Sequence, residues 1–211
     1  MKVRSDIQEF LKSTPNDISL VAATKYVDSS EIKKLVDAGV TNIGENRVEA
    51  FLEKYHALGN NKAISWHFIG HLQRNKADEV IDKIDYLHSL DSLKLADLID
   101  KKRSTPLKVF VEVSINLEES KNGVPHFEAE EFIKKLLTYK NIEVVGLMMM
   151  TVKESDDKQE QFKKLRLLKE EIEQHLNIKL PYLSMGMSDD YKAAILEGAT
   201  HIRLGRILFE E

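Results

Sequence analysis

Ile18-Ser19-Leu20-Val21-Ala22-Ala23-Thr24-Lys25-Tyr26 is an apolar run that ends on a cation. It reads as a buried strand terminating in Lys25. Alternation puts Val21, Ala23 and Lys25 on one face and Leu20, Ala22 and Thr24 on the other. The lysine is therefore expected to point inward from the carboxyl end of a buried strand. A buried ammonium is costly unless it is paired or deprotonated, and burial lowers its pKa. In such a setting a lysine amine condenses with an aldehyde to form an imine. The alternative on this stretch alone is a solvated lysine with only its stem buried.

Outward from this strand, the chain alternates. A short amphipathic helix (Val3 to Lys12, stopped by Pro15) precedes it. Ser29-Ser30-Glu31 opens a helix closed by Gly39. The spacing then predicts strands at Asn42–Asn46, Ile64–Ile69, Tyr86–Leu90, Leu107–Ile115, Ile142–Met150, Pro181–Met185 and His201–Gly205. Between them lie helical patterns, including Arg47–Leu58, Asp91–Lys101, His126–Tyr139, Asp156–Leu176 and Ser188–Glu197. Strict alternation with short connections means parallel strands joined by crossovers. Eight such strands predict a single α/β domain over residues 1–211, a (β/α)8 TIM-type barrel, compact beside the roughly 250 residues usual for that fold. The amino-terminal helix is expected to cover the gap left after the last strand. An open doubly wound sheet is the competitor, but no G-x-G-x-x-G follows the first strand.

Composition narrows the function classes. A net charge of −4 gives no broad basic excess for nucleic acid. Cysteine is absent, which excludes disulfides and thiolate-bound metals and suits a cytoplasmic protein. No apolar run approaches the roughly 20 residues that span a bilayer, and the amino terminus has no signal-peptide core. Neither nucleic acid nor membrane is an expected partner, and the chain is expected to be a monomer.

A barrel carries its chemistry at the carboxyl ends of its strands. Collected there are Lys25, Asn46, His67, Ser89, Ser114, Met148, Ser184, Arg203 and Gly205. No pair of carboxylates is expected among them, against glycosidase-type chemistry. No H-x-H or H-E-x-x-H spacing suggests a metal. His67, on an aromatic strand, reads first as a satisfied core histidine. Met148-Met149-Met150 reads as core filler and Lys101-Lys102-Arg103 as a solvated helix end. The long loop from Asn116 to Pro125 is placed to cover the site.

The second informative stretch is Leu183-Ser184-Met185-Gly186-Met187-Ser188-Asp189-Asp190, followed by His201-Ile202-Arg203-Leu204-Gly205-Arg206. Ser188 reads as an N-cap with Asp189 and Asp190 in the first turn. Loops after the seventh and eighth barrel strands commonly hold a phosphate, with glycine admitting the backbone and serine adding a donor. The alternative is a helix cap and a glycine turn without a ligand. A phosphate cradle beside an imine-competent lysine gives the two anchors of pyridoxal phosphate (PLP). Arg203 shares inward parity with Gly205 and would face the pyridine nitrogen, keeping it unprotonated.

The chain resembles the pyridoxal phosphate homeostasis (YggS/PROSC) family, which is related to the amino-terminal barrel of alanine racemases (PLP fold type III). The resemblance runs end to end. It rests on Ala22-Ala23-Thr24-Lys25, Gly44-Glu45-Asn46-Arg47-Val48, Trp66-His67-Phe68-Ile69-Gly70 with Leu72-Gln73 and Asn75-Lys76, Glu118-Glu119-Ser120-Lys121 with Gly123, Gly146-Leu147-Met148, and Leu183 to Asp189. It implies a Schiff base between PLP and Lys25. It also implies phosphate contacts from Ser184, Gly205 and the backbone of Arg206, Arg203 at the ring nitrogen, and Asn46, His67 and Met185 lining the pocket. Departures from the family's usual residues are Ser114, Thr151, Arg206 and the Phe209-Glu210-Glu211 ending.

The resulting expectation is a PLP-binding protein of intracellular PLP homeostasis, not obligatorily an enzyme, with PLP-dependent apo-enzymes as acceptors. The racemases add a β-domain and a dimer partner to supply a second acid/base group, and no β-domain follows the barrel pattern here. A weak PLP-dependent racemase or lyase, or a Schiff-base aldolase acting on a phosphorylated sugar, are the alternatives.

Overall fold

The strand through Val21 forms, but it stops at Ala23, two residues before the lysine. The computed structural model describes residues 1–59, 61–116, 122–151 and 157–210. Glu118–Lys121, the body of the expected covering loop, and Asp156, the expected start of the long helix, lie outside the described residues, as does Glu211. The chain opens with β1 (Lys2–Val3), α1 (Ile7–Lys12), β2 (Ser19–Ala23), α2 (Ser29–Asp37), β3 (Asn42–Glu45) and α3 (Val48–Leu58). It continues through β4 (Ser65–Phe68), α4 (Arg74–Ala77), β5 (Tyr86–Leu90), α5 (Leu93–Lys102), β6 (Leu107–Ser114) and β7 (Val124–Pro125). Then come α6 (Ala129–Leu136), β8 (Ile142–Met148), α7 (Lys158–Leu176), β9 (Tyr182–Ser184), α8 (Tyr191–Leu196), β10 (His201–Leu204) and β11 (Phe209–Glu210).

Eight strands close on themselves. β2, β3, β4, β5, β6, β8, β9 and β10 each pair in parallel with the next, and β10 pairs with β2 through Ile202 opposite Leu20 and Leu204 opposite Ala22. The β5–β6 pairing and the β2–β10 pairing leave no open edge, so the doubly wound alternative fails. β8 carries a register shift opposite Val109–Phe110, and Gly146 is required there. A Cβ on Gly146 would lie 1.9 Å from the Tyr182 carbonyl oxygen.

Local chemistry sets the helix ends. Asp28, one residue before the expected start, caps α2 by accepting from the N–H groups of Ser30 (2.9 Å) and Glu31 (3.1 Å). Gly39, at φ +98°, ends it. The amino-terminal helix is shorter than expected because Lys2–Val3 pairs with Phe209–Glu210 at the other end of the chain. α1 does fill the remaining gap in the helical shell. Gln8 donates to the Ala38 carbonyl at the end of α2 (3.0 Å), and Phe10 meets Tyr191 of α8 with ring centroids 6.5 Å apart.

There are two cores. The larger lies between barrel and helices and includes Leu20, Ala22, Ile43, Phe51, Leu87, Phe162 and Ile202. The smaller fills the barrel interior around Phe110, Val145 and Met148, with Tyr86 and Tyr182 against it. Aliphatic layers usually fill such barrels. Here His67, His88 and His201 share the interior with the aromatic rings, His67 stacking on Tyr86 at 4.5 Å and His88 on Phe110 at 4.4 Å. Of the methionine run, Met148 and Met149 are buried and Met150 is exposed. Arg103 is more than a solvated helix end, because it donates to the carbonyls of Ile81, Ile84 and Thr105.

Candidate functional site

Lys25 follows β2 on a turn and is exposed, its Nζ 4.8 Å from the centre of the Tyr26 ring. The expected burial does not hold: the strand ends at Ala23, and Lys25 lies on the exposed turn that follows.

What fixes its position lies behind the wall. The Lys54 amine of α3 donates to the Thr24 carbonyl (2.7 Å) and pairs with the Glu45 carboxylate. Thr24 Oγ1 donates to the same carboxylate (2.7 Å), and the Asn46 N–H reaches its other oxygen (3.3 Å). Glu45 is wholly buried and Lys54 nearly so. One buried ion pair thus holds both Thr24, beside Lys25, and Asn46. Asn46 is half-buried, and its side-chain carbonyl is enclosed without a donor among the described residues. Gly70 allows this packing, since a Cβ there would sit 2.3 Å from the Asn46 carbonyl oxygen.

Beside Lys25, the end of β10 forms a cradle. A Cβ placed on Gly205 would be 3.6 Å from the Ala23 carbonyl oxygen, so the Gly205 backbone and the lysine turn share one corner. The Gly205 N–H points to Ser188 Oγ at 3.3 Å. Ser188 is not the expected N-cap: α8 begins at Tyr191, and the Asp190 carboxylate accepts from the Met187 N–H (2.6 Å) and from Thr151 Oγ1 (2.8 Å). Arg206 is exposed and turns outward to Asp189 at 2.9 Å, leaving only its backbone at the cradle.

Three expected site residues lie deeper. Ser184 is fully buried, its hydroxyl held between His88 Nδ1 (2.7 Å) and Arg203 Nη1 (2.6 Å). His67 is fully buried in contact with His88 Nε2 (2.9 Å), Asn42 Oδ1 (3.2 Å) and Ser65 Oγ (3.3 Å). It is the satisfied interior histidine that its strand suggested. Met185 packs in the outer core, and its N–H donates to the His201 carbonyl (3.0 Å). The structure therefore gathers Lys25, Asn46, Arg203, Gly205 and the Arg206 backbone at or under the mouth, and sets His67, Ser184 and Met185 into the wall.

Arg203 is the buried charge of the site, 4% exposed. Its partners among the described residues are the uncharged oxygens of Ser184 and Met149, the latter at 2.8 Å. Burial lowers its pKa to about 10 despite the attraction of Glu112 and Asp190. Burial likewise pushes His67 down to about 3 and His201 to about 4, and His88 well below its usual range. All three rings are neutral at physiological pH.

Glu112 was missed by reading strand ends alone. It shares the inward parity of Phe110 and Ser114 on β6 and is 9% exposed. Burial raises its pKa to about 7, with Asp91 pushing the same way and Arg203 opposing. The signal was available as a charged residue at an inward position of a strongly apolar strand. Among the described residues no cluster of three His, Asp or Glu is arranged to hold a metal, and no helix is long and apolar enough to cross a membrane.

The chain is a closed eight-stranded parallel barrel, and the family model of the alanine racemase amino-terminal domain matches residues 4–211. Within that class, the chain belongs to the pyridoxal phosphate homeostasis protein family. The pyridoxal phosphate homeostasis protein of Aquifex aeolicus is 40% identical over 201 residues, covering 93% of this chain and 88% of the relative. That of Escherichia coli K12 is 32% identical over 207 residues, covering 93% and 86%. Among solved structures, PipY of Synechococcus elongatus with PLP bound superposes with a TM-score of 0.89 at 29% identity, covering 97% of this chain and all of that one. Alanine racemase of Corynebacterium glutamicum shares the fold, with a TM-score of 0.76 at 14% identity, and this chain spans 57% of its length.

Proposed function

We propose that this protein binds PLP covalently through Lys25 and serves PLP homeostasis in the cytoplasm as a monomer, passing the cofactor to PLP-dependent apo-enzymes without obligatory turnover. The observation that carries this reading is the shared corner of the lysine turn and the Gly205 backbone, set above a buried guanidinium. The names of the curated relatives and the PLP bound to PipY support it. When bound, PLP supplies an aldehyde to the lysine amine, with loss of water, and presents a phosphate and a pyridine nitrogen to the protein.

The residues present fit that group. Lys25 is accessible to the aldehyde, and the clasp of Glu45 and Lys54 fixes the turn that carries it. The cradle offers the backbone at Gly205 and Arg206 with the Ser188 hydroxyl, which now accepts from the Gly205 N–H and would share that corner with a phosphate, because the Ser184 hydroxyl is engaged inside. The Asn46 side-chain carbonyl is a buried acceptor with no partner among the described residues, which a donor on the ligand would satisfy. Arg203 donates to the ring nitrogen and, always protonated at physiological pH, keeps that nitrogen unprotonated.

Absorption spectra with and without added PLP, followed by borohydride reduction and peptide mapping, test this. A visible band whose reduced adduct maps to Lys25, and is lost in Lys25→Ala, is the expected result. No band at saturating PLP overturns it. A weak racemase or lyase is the second reading, favoured by Glu112, which can take or give a proton near neutrality from inside the barrel. Assays for racemisation of free amino acids separate the two.

A further inference from the structure

Two buried histidines have no direct contact with the ligand in the reading above, yet they join a line of hydrogen bonds that ends on Arg203. The line runs Asn42, His67, His88, Ser184, Arg203, across β3, β4, β5, β9 and β10. Its direction follows from its ends. A guanidinium only donates, so Ser184 Oγ accepts from Arg203 Nη1. The one hydroxyl proton of Ser184 is then free for its other partner, His88 Nδ1, provided that nitrogen is bare, which the far end of the line requires. A neutral imidazole bare at Nδ1 carries its proton on Nε2, and His88 Nε2 donates to His67 Nδ1. His67 is then protonated on Nε2, which donates to Asn42 Oδ1. The far end sets this direction, because a carbonyl oxygen only accepts, and the Arg203 end is compatible with it. Every link has one donor and one acceptor, and the neutrality that the chain requires is what burial imposes on both rings.

We propose that His88, with His67 behind it, is a positioning residue for Arg203: a one-way hydrogen-bond chain across the barrel holds the guanidinium under the mouth and turns the Ser184 proton away from the ligand. The Met149 carbonyl fixes the second corner of the guanidinium. The ligand side of this inference rests on the PLP reading, whereas the chain itself does not.

Nitrogen-proton correlation spectra of the unliganded protein test the chain without PLP. Both histidines are expected to be neutral with the proton on Nε2, and the Arg203 Nη protons to exchange slowly. A proton on His88 Nδ1, or a charged His88 ring, overturns the chain. In His88→Leu the Arg203 protons are expected to exchange fast, whether or not PLP binds. With PLP, His88→Leu is expected to bind about tenfold more weakly, the value of one hydrogen bond, and to shift the absorption maximum. His88→Asn puts an oxygen where Nδ1 stood and is expected to restore affinity and spectrum. An unchanged Arg203 exchange rate in His88→Leu, or no rescue by His88→Asn in a folded protein, overturns the positioning role. If His88→Leu does not fold, Ser184→Ala cuts the same link from the other side and is read in its place. A wild-type protein that gives no band with PLP overturns the PLP reading alone, and the Arg203 exchange rates then decide the inference.

Discussion

Lys54→Met should destabilise the protein more than any single change at the mouth itself. The Glu45 carboxylate is wholly buried, and its partners are the Lys54 amine, Thr24 Oγ1 and the Asn46 N–H. Removing the amine strands a charge that two neutral donors cannot balance, and breaking a buried pair from one side costs about 3–5 kcal/mol. The Thr24 carbonyl loses its ammonium donor as well. Against a total stability of roughly 5–15 kcal/mol this is a large fraction. For a chain of this size it corresponds to a fall in Tm of about 10 °C. Glu45→Gln combined with Lys54→Met removes the stranded charge and should recover about half of the loss. Urea denaturation of the single and double variants measures both. The fold-independent consequence is at the site, since the turn carrying Lys25 loses its tether and PLP binding should weaken at temperatures where the variant is still folded. A single variant that loses less than about 1 kcal/mol, or a double variant no milder than the single, would refute a charge-based clasp and reduce the pair to packing.

Other expectations concern pH and close packing. Glu112 has a folded pKa of about 7 against 4.5 when exposed, so its contribution is fully present below the unfolded value and is lost as pH rises through 7. Glu112→Gln should therefore gain stability relative to wild type as pH climbs from 5 to 8, by up to about 3 kcal/mol; a pH-independent difference would sink the assignment. His201 behaves oppositely. Its folded pKa of about 4 means that stability present above 6.5 is lost as pH falls toward 4. His201→Phe, a ring of similar size among Phe110 and Tyr182, should flatten acid denaturation over that window in thermal melts. Gly70→Ala drives a methyl into the Asn46 backbone and should cost about 2 kcal/mol or more while weakening PLP binding, both read by titration and melting.

The architecture was legible because strands such as Ser19–Ala23, Leu107–Ser114 and Ile142–Met148 are short, mostly apolar runs and helices such as Leu93–Lys102 and Ala129–Leu136 carry a 3.6-residue stripe. Closure follows from the number of such units. Alternation carried the strand through to Lys25 and so expected it buried, but β2 ends at Ala23, and parity says nothing of where a strand stops. The same limit misplaced Ser188 as an N-cap, a role that depends on where α8 begins. The β1–β11 pairing joins the two ends of the chain, and no local pattern in Lys2–Val3 announces it. The interior was the least legible part. His88 meets Ser184 across 96 residues, and each alone is an unremarkable inward position on its own strand.

On the reading proposed above, that interior also suits the site to an anion. A buried guanidinium is normally matched by a carboxylate, which would neutralise it and leave little pull on a ligand. Arg203 instead rests on two neutral oxygens, Ser184 Oγ and the Met149 carbonyl. The histidines behind Ser184 lend it an acceptor without lending it charge, because burial holds them neutral. Of the two acids whose attraction reaches Arg203, Glu112 is itself pushed toward its protonated form by the same burial, and Asp190 is engaged by the Met187 N–H and Thr151 Oγ1. The barrel therefore fixes a positive charge in place with no carboxylate bonded to it among the described residues. A phosphorylated aromatic aldehyde would bring the missing negative charge itself, with its phosphate at the Gly205 cradle and its carbonyl at Lys25.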